Sequence, residues 1–220
     1  MNLPNAITIG RIFAAPFVAW LPFSSSWALR LFGFVLFVVV AVSDYYDGML
    51  ARTRNLVTNL GKQLDPLADK LFLVATFVPM YVLMERRDGA PPAAFPFVTP
   101  MGEIGFPLWI ALVILGRELL MTVFRQIAAR RGVVIAAIGP AKWKTGFQLV
   151  WVGAAYFWFW AATAAAHFAW QGRAAWEAFA RFNGIVGVVT MLAATALTVY
   201  SLLLYFQRYG GVLVRSRGRV

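Results

Sequence analysis

Long apolar segments separated by short polar stretches make up most of the chain. A helix that crosses a bilayer needs about 20 mostly apolar residues. The pattern predicts such helices at residues 5–23, 27–54, 65–85, 106–131, 141–169 and 183–206. The second of them is apolar only through Val42, so residues 43–54 form a polar extension. The predicted fold class is therefore an all-α membrane protein with six transmembrane helices in one bundle.

The connections contain the residues that interrupt helices. Residues 24–26 are serines that predict a tight turn, and residues 55–64 form a short polar connection. The longest loop, residues 86–103, has four prolines and two glycines, which argue against a helix. We expect the third helix to begin at Asp65 and Pro66, since proline suits the first turn. The sequence predicts one domain over residues 1–209 and a frayed basic tail over residues 210–220.

Composition excludes several classes of protein. Hydrophobic residues make up 61% of the 220 residues and charged residues 13%, whereas globular domains have about 45–50% and about 25%. This excludes soluble, disordered, collagen-like and nucleic-acid-binding proteins. The chain has no cysteine, which excludes disulfides and thiolate sites, and the single histidine, His167, cannot by itself form a histidine-based metal site.

The basic residues predict an orientation in the membrane. Six spans put both termini on one side, and fifteen of the twenty Lys and Arg residues fall on that side. The five on the opposite side are Arg30, Arg86, Arg87, Arg173 and Arg181. Because basic residues concentrate in cytoplasmic segments, we expect both termini, and a polar cavity of the bundle, to face the cytoplasm. The compact form suggests a multi-pass protein of a bacterial inner membrane.

Four of the five aspartates lie between positions 44 and 69. Asp44 and Asp47 are three residues apart near the end of the second helix, and Asp65 and Asp69 are four apart at the start of the third. These spacings put side chains on one face of a helix. The short connection makes the two helices antiparallel neighbours, so we expect the four carboxylates to meet near the cytoplasmic interface.

Four carboxylates at that depth need positive charge beside them, because they repel each other and are costly in a bilayer. Oxygen ligands without His or Cys suit Mg²⁺, Mn²⁺ or Ca²⁺ rather than Zn²⁺, and four carboxylates favour a two-metal site. The alternative is that they are helix-end charges. Asp65 suits a helix cap as well as it suits a ligand, whereas Asp44 and Asp47 at a helix C-terminus oppose its dipole.

Small residues and an arginine flank the carboxylates. Gly48 and Ala51 leave room for a ligand, and Gly61 permits a tight turn or a close approach. Arg52 offers a bidentate fork suited to phosphate. Together with the aspartates, these residues indicate a site for a metal-bridged diphosphate.

Residues 44–69 contain the pattern D-x₂-D-G-x₂-A-R-x₈-G-x₃-D-x₃-D. It resembles the signature of the CDP-alcohol phosphotransferase family at all eight fixed positions. The resemblance implies a six-helix membrane enzyme that moves a substituted phosphoryl group from a CDP-linked donor to an alcohol and releases CMP. It also implies two divalent ions, Mg²⁺ or Mn²⁺, and a homodimer.

The resemblance implies a role for each position of the pattern. Asp44, Asp47 and Asp65 are implied metal ligands, and Asp69 is implied as both a ligand and the base that deprotonates the acceptor hydroxyl. The implied CDP site is formed by polar and small residues of the first three helices: Asn5, Thr8, Gly48, Ala51, Arg52 and Gly61.

Several segments look like those of the bacterial phosphatidylglycerophosphate synthases within that family, a resemblance that covers roughly residues 3–148. They are Asn5, Thr8 and Arg11, residues 65–70, Arg117 and Glu118 followed by Arg125, residues 128–132, and Lys142 with Lys144 and Thr145. The implied substrates are CDP-diacylglycerol and sn-glycerol 3-phosphate, a dianion that needs a basic pocket. Arg117 and Arg125 lie two turns apart on one face of the fourth helix, and Lys144 begins the fifth. We expect these three cations and Lys142 to bind the acceptor phosphate.

Other interpretations of these residues stay open. Arg117 and Arg125 also suit ion pairs with Glu118 or the aspartates, and Lys142 suits membrane anchoring equally well. Inositol phosphate, serine or phosphatidylglycerol would be acceptors for the same chemistry. A divalent-cation transporter and an inactive scaffold are alternatives from other classes, the first disfavoured because the carboxylates do not continue across the bilayer.

Overall fold

The computed structural model describes residues 3–53, 59–85, 95–133, 135 and 139–214, with only the backbone of residues 3–4, 45, 47–53, 59–60, 62–63 and 211–214. The helices in these residues are α1 (Leu3–Trp20), α2 (Trp27–Thr53), α3 (Asn59–Glu85), α4 (Leu108–Arg130), α5 (Gly139–His167) and α6 (Ala174–Val214). A short 3₁₀ helix, Leu21–Phe23, follows α1. The strands β1 (Phe97–Thr99) and β2 (Gly102–Ile104) form an antiparallel hairpin that pairs Phe97 with Ile104.

Five helices are long and apolar enough to cross a membrane: α1, α2, α3, α5 and α6. The all-helical membrane class is therefore confirmed. Among the described residues α4 does not meet the same measure, because Arg117, Glu118 and Arg125 interrupt its apolar sequence. Six spans remain a prediction.

The predicted start of α3 was wrong. The helix begins at Asn59 rather than at Asp65, so Pro66 lies inside it. Residues 60–64 include Leu, Lys and Gln, which favour helix and extend it toward its N-terminus. Asp65 consequently does not cap α3. Residues 54–58, the rest of the predicted connection, lie outside the described residues.

The predicted bounds of α6 were also wrong. The helix begins at Ala174, nine positions before residue 183, and continues through Val214 rather than ending at residue 206. Its first turns contain alanines and a Glu177–Arg181 ion pair four residues apart, both of which favour helix. The helix thus includes the first part of the predicted tail, and residues 215–220 lie outside the described residues.

Residues 1–106 and 152–187 form one compact unit, called the first unit here. Its centre contains Tyr156 of α5, whose hydroxyl donates to the carbonyl oxygens of Val18 (3.1 Å) and Ala75 (3.2 Å). The Phe37 ring stacks against the rings of Tyr156 and Phe72. These contacts join α1, α2, α3 and α5. They hold α2 and α3, which carry the aspartates, against α1.

The hairpin, which sequence analysis treated only as loop, packs inside the first unit. Phe97 is fully buried, and its ring lies where a Cβ at Gly187 would be. The carbonyl oxygen of Val98 likewise lies where a Cβ at Gly184 would be, and Trp158 Nε1 donates to the Pro96 carbonyl at 3.0 Å. Glycine is therefore required at both α6 positions, because a side chain would displace the hairpin.

Residues 107–151 and 188–220 form the second unit. Its core contains Met121 and Phe124 of α4 and Tyr205 of α6, with Leu202 and Tyr209 packed against them. These residues are three or four positions apart on their helices, the spacing that puts side chains on one face. The second unit therefore has an apolar centre of its own.

Candidate active site

Helix α1 brings together three of the four predicted aspartates. Thr8 Oγ1 donates to Asp65 Oδ1 at 3.0 Å, and Arg11 Nη2 donates to Asp69 Oδ1 at 2.9 Å. Arg11 Nη1 also forms an ion pair with Asp44 Oδ1. Thr8 and Arg11 are three residues apart, one turn of α1, so a single face of that helix contacts the second half of α2 and the first half of α3.

The charges at this site differ in exposure. The Arg11 side chain is 4% exposed, whereas the side chains of Asp44 and Asp69 are 50% and 58% exposed. A buried charge is costly unless it is paired, and the two carboxylates provide Arg11 with anionic partners. Their remaining surface is accessible to a ligand from outside the first unit.

The other predicted members of the site are partly described. Asp47, Gly48, Ala51 and Arg52 lie on α2, as predicted, but their side chains lie outside the described residues. Because α2 continues unbroken through them, Asp47 is one turn from Asp44 on the same helix.

Three predicted residues of the CDP site are buried in the first unit. Asn5 is 6% exposed and Thr8 is 2% exposed, and both lie on the first turns of α1. Gly61 is buried near the start of α3. The structure thus puts these residues on the same helices as Arg11 and the Asp65–Asp69 pair.

The oxygen atoms that this site offers as ligands suit a hard divalent cation. Asp44, Asp65 and Asp69 supply carboxylate oxygens, the ligands that such cations prefer. The negative charges of Asp44 and Asp65 both repel that of Asp69, so the three carboxylates lie near one another. The described side chains do not by themselves contain three acidic, His or Cys groups arranged to hold an ion, and Asp47 is not among those side chains. The contacts observed are instead those with Arg11 and Thr8.

Arg11 is the site residue to which the sequence analysis assigned no role, although it belongs to the N-terminal residues that carry the family resemblance. An arginine within an apolar helix, one turn after a threonine, was the available signal. Charged groups in such segments face the protein interior and pair with other charges. The partners themselves, Asp44 and Asp69, are more than thirty positions away along the chain and required the fold to identify them.

The predicted acceptor cations belong to the second unit. Arg117 and Lys144 are buried, and both contact the Glu118 carboxylate. The ion pair between Arg117 and Glu118, one of the alternatives from the sequence, is therefore present. Arg125 and Lys142 are exposed. The structure thus joins two of the four predicted cations, Arg117 and Lys144, through Glu118, and Arg125 lies near enough for its charge to act on Lys144.

Comparison with known proteins identifies the family. The family model of CDP-alcohol phosphatidyltransferases matches residues 1–200. A Rickettsia bellii protein named CDP-diacylglycerol–glycerol-3-phosphate 3-phosphatidyltransferase is 36% identical over 67% of this chain and 71% of its own length. A Bacillus subtilis protein of the same name is 35% identical over 70% of this chain and 75% of its own.

A relative with a different name also matches. A Streptomyces coelicolor protein named cardiolipin synthase (CMP-forming) is 32% identical over 60% of this chain and 54% of its own length. All three relatives match more than half of the chain, and the family model includes the whole aspartate pattern. The chain therefore belongs to the CDP-alcohol phosphatidyltransferase family, as that pattern predicted.

Proposed function

We propose that this protein transfers the phosphatidyl group of CDP-diacylglycerol to sn-glycerol 3-phosphate, giving phosphatidylglycerophosphate and CMP. The relatives named for that activity are similar to it over about two thirds of its length. The observation that carries the proposal is the contact of α1 with Asp44, Asp65 and Asp69. It brings three aspartates of the pattern together in one partly exposed acidic site.

The reaction follows from the roles assigned to these residues. Asp69 accepts the proton of the glycerol 3-phosphate hydroxyl, and the hydroxyl oxygen forms a bond to the phosphorus that bears diacylglycerol. The bond between that phosphorus and the oxygen of CMP breaks, and CMP leaves with the electron pair. Asp69 has a half-exposed side chain, so an acceptor can reach it.

Asp44, Asp47, Asp65 and Asp69 would hold two divalent ions, Mg²⁺ or Mn²⁺. When bound, such ions neutralise the diphosphate and stabilise the charge that develops on the leaving CMP. Arg11 supplies fixed positive charge beside the same carboxylates. It keeps Asp44 and Asp69 near each other despite their mutual repulsion.

The CDP part of the donor would bind beside the aspartates. Thr8, which orients Asp65, and Asn5 lie on one side of the proposed site. The proposed site is completed by the small and basic residues of the pattern: Gly48, Ala51, Arg52 and Gly61. The small residues would let the nucleotide approach the helix, and Arg52 would contact its phosphates.

The phosphate of the acceptor would bind to basic side chains of the second unit. Arg117 and Lys144 supply buried positive charge, and Arg125 and Lys142 supply exposed positive charge. Buried cations in an apolar environment favour an anionic ligand. This favours a phosphorylated acceptor over serine.

We further propose six spans, including α4, with both termini and a polar cavity on the cytoplasmic side of a bacterial inner membrane. The excess of basic residues on the terminal side supports this orientation. The homodimer implied by the family resemblance is also a proposal. Cross-linking of the protein in native membranes would test it.

The acceptor is tested with purified protein, CDP-diacylglycerol and Mg²⁺. CMP release is measured with glycerol 3-phosphate, inositol phosphate, serine or phosphatidylglycerol in separate reactions. We expect CMP only with glycerol 3-phosphate. Release only with phosphatidylglycerol would favour the cardiolipin synthase activity after which one relative is named. No release with any alcohol would contradict the enzyme class.

A further inference from the structure

The second unit has one acidic residue in its sequence, Glu118. The same segments contain ten basic residues: Arg117, Arg125, Arg130, Arg131, Lys142, Lys144, Arg208, Arg215, Arg217 and Arg219. Among those that the structure describes with side chains, Arg117 and Lys144 are the buried ones. Both of them contact Glu118. The single negative charge of the unit is thus located at its two buried positive charges.

One oxygen of the Glu118 carboxylate receives both cations. Arg117 Nη1 donates to Oε1 at 3.0 Å, and Lys144 Nζ donates to the same oxygen. Arg117 is held from other directions as well, since its Nη2 donates to Ser201 Oγ at 3.2 Å and its guanidinium lies 5.8 Å from the centre of the Tyr205 ring. Lys144 reaches this group from α5, across 26 positions of the chain.

The two cations therefore depend on Glu118 to different degrees. Ser201 and Tyr205 also contact Arg117, so several groups determine its position. Lys144 has a flexible side chain of four methylenes, and its contact with Glu118 joins it to α4. Without the carboxylate, the buried positive charges of Arg117 and Lys144 would repel each other. The Lys144 side chain would also have many more rotamers available.

We infer that Glu118 is a positioning residue for the acceptor: its carboxylate holds Lys144 and Arg117 together as a preformed site for a phosphate group. The inference rests on the proposed function, because the phosphate is that of the proposed acceptor. Two cations and one carboxylate have a net positive charge, so the group still attracts a dianion. The Glu118 side chain is 32% exposed, so the cluster reaches the protein surface at this carboxylate, whereas the side chains of Arg117 and Lys144 are each 5% exposed.

The first test is the substitution Glu118→Gln, which keeps the shape of the side chain and removes its charge. We expect the KM for glycerol 3-phosphate to rise about 10- to 100-fold, the range of coupling between groups in one charge network. The KM for CDP-diacylglycerol and kcat should stay within about threefold. A purely structural role would change all three together with the thermal stability.

The second test asks whether Glu118 acts through Lys144. In a Lys144→Met background, Glu118→Gln should raise the acceptor KM far less than it does in the native background, because the cation to be positioned is gone. Additive effects would overturn the inference. The matched control is Glu177→Gln, which removes the same charge from an exposed ion pair with Arg181 and should leave every kinetic constant unchanged.

A binding measurement separates this inference from the proposed function. Inorganic phosphate is titrated into the intact protein and into Glu118→Gln by calorimetry. Weaker binding to the variant supports the inference even if glycerol 3-phosphate yields no CMP with the native protein, a result that would defeat the proposed function alone. Equal phosphate affinities, or an unchanged acceptor KM in Glu118→Gln, overturn the inference.

A conservative variant covers the case in which Glu118→Gln does not fold. Glu118→Asp keeps the charge but shortens the side chain by one methylene, so it should fold and still misplace the Lys144 ammonium. We expect its acceptor KM to rise less than that of Glu118→Gln, with the donor KM unchanged. An acceptor KM equal to that of the native protein would contradict the inference.

Discussion

The two units balance their charges in opposite ways. The first unit has eight acidic residues in its sequence (Asp44, Asp47, Asp65, Asp69, Glu85, Asp88, Glu103 and Glu177), and the second unit has Glu118 alone. In the first, the buried Arg11 is shared by two half-exposed carboxylates. In the second, two buried cations share one carboxylate. Both units therefore bury positive charge, but its carboxylate partners are in excess in the first unit and the cations are in excess in the second.

This difference indicates which ligand each unit suits. Exposed carboxylate oxygens favour divalent cations, whereas a cluster with excess buried positive charge favours a phosphate group. A transferase that joins a metal-bound nucleotide diphosphate to a phosphorylated alcohol needs both. Variants in the first unit should therefore affect chemistry and the donor, and variants in the second unit should affect the acceptor.

The largest effect is expected at Asp69. Asp69→Asn removes the proposed base and one metal ligand, so kcat should fall about 10²- to 10⁴-fold, the usual contribution of general base catalysis. The affinity for CDP should change much less, because Asp44, Asp47 and Asp65 remain. Turnover is measured by CMP release, with the exposed Glu103→Gln of the same unit as control. An Asp69→Asn protein that stays active would disprove the assignment of the base.

A smaller and more selective effect is expected at Arg125. Arg125→Ala should raise the acceptor KM about 10-fold, the value of a charge-assisted hydrogen bond, and leave the donor KM unchanged. Arg130→Ala is a matched control, since it removes an exposed arginine from the same helix. Equal increases in both KM values would mean that Arg125 does not belong to the acceptor site. They would also contradict the expectation that variants in the second unit affect the acceptor alone.

The smallest effect on activity is expected from Gly187→Ala. The new methyl group would overlap the Phe97 ring, and overpacking of this kind costs about 1–3 kcal/mol. The melting temperature should fall, while kcat and both KM values of the folded protein stay within about twofold. Gly146→Ala is the control, because no described atom lies within 4 Å of its added Cβ. Equal melting temperatures for the two variants would contradict the packing of the hairpin.

The sequence was sufficient for features that depend on neighbouring residues. Apolar length predicted the helical membrane class, and the spacings of three between Asp44 and Asp47 and of four between Asp65 and Asp69 predicted that each pair lies on one face of its helix. The short connection between the helices predicted that these faces meet. These patterns have a local cause, because helix periodicity alone determines which positions share a face. The match of a family model to residues 1–200 agrees with this interpretation.

Features that depend on distant residues could not be predicted. Gly184 and Gly187 would normally weaken a helix, and their place inside α6 makes sense only with the hairpin packed on them. In the same way, the partners of Arg11 and Lys144 come from other helices. Tertiary contacts determine which residue is needed at these positions and which partner it has, and local sequence patterns do not contain that information.

The most direct test of the central claim is the binding of Mn²⁺ to the purified protein, followed by electron paramagnetic resonance with and without CDP. The account predicts that CDP strengthens Mn²⁺ binding, that Asp69→Asn weakens it by at least the roughly 10- to 100-fold that loss of an outer-shell partner costs, and that Lys144→Met leaves it unchanged. Equal Mn²⁺ affinity in the native protein and in Asp69→Asn would contradict the account, because the carboxylates of the first unit would then not be the metal site.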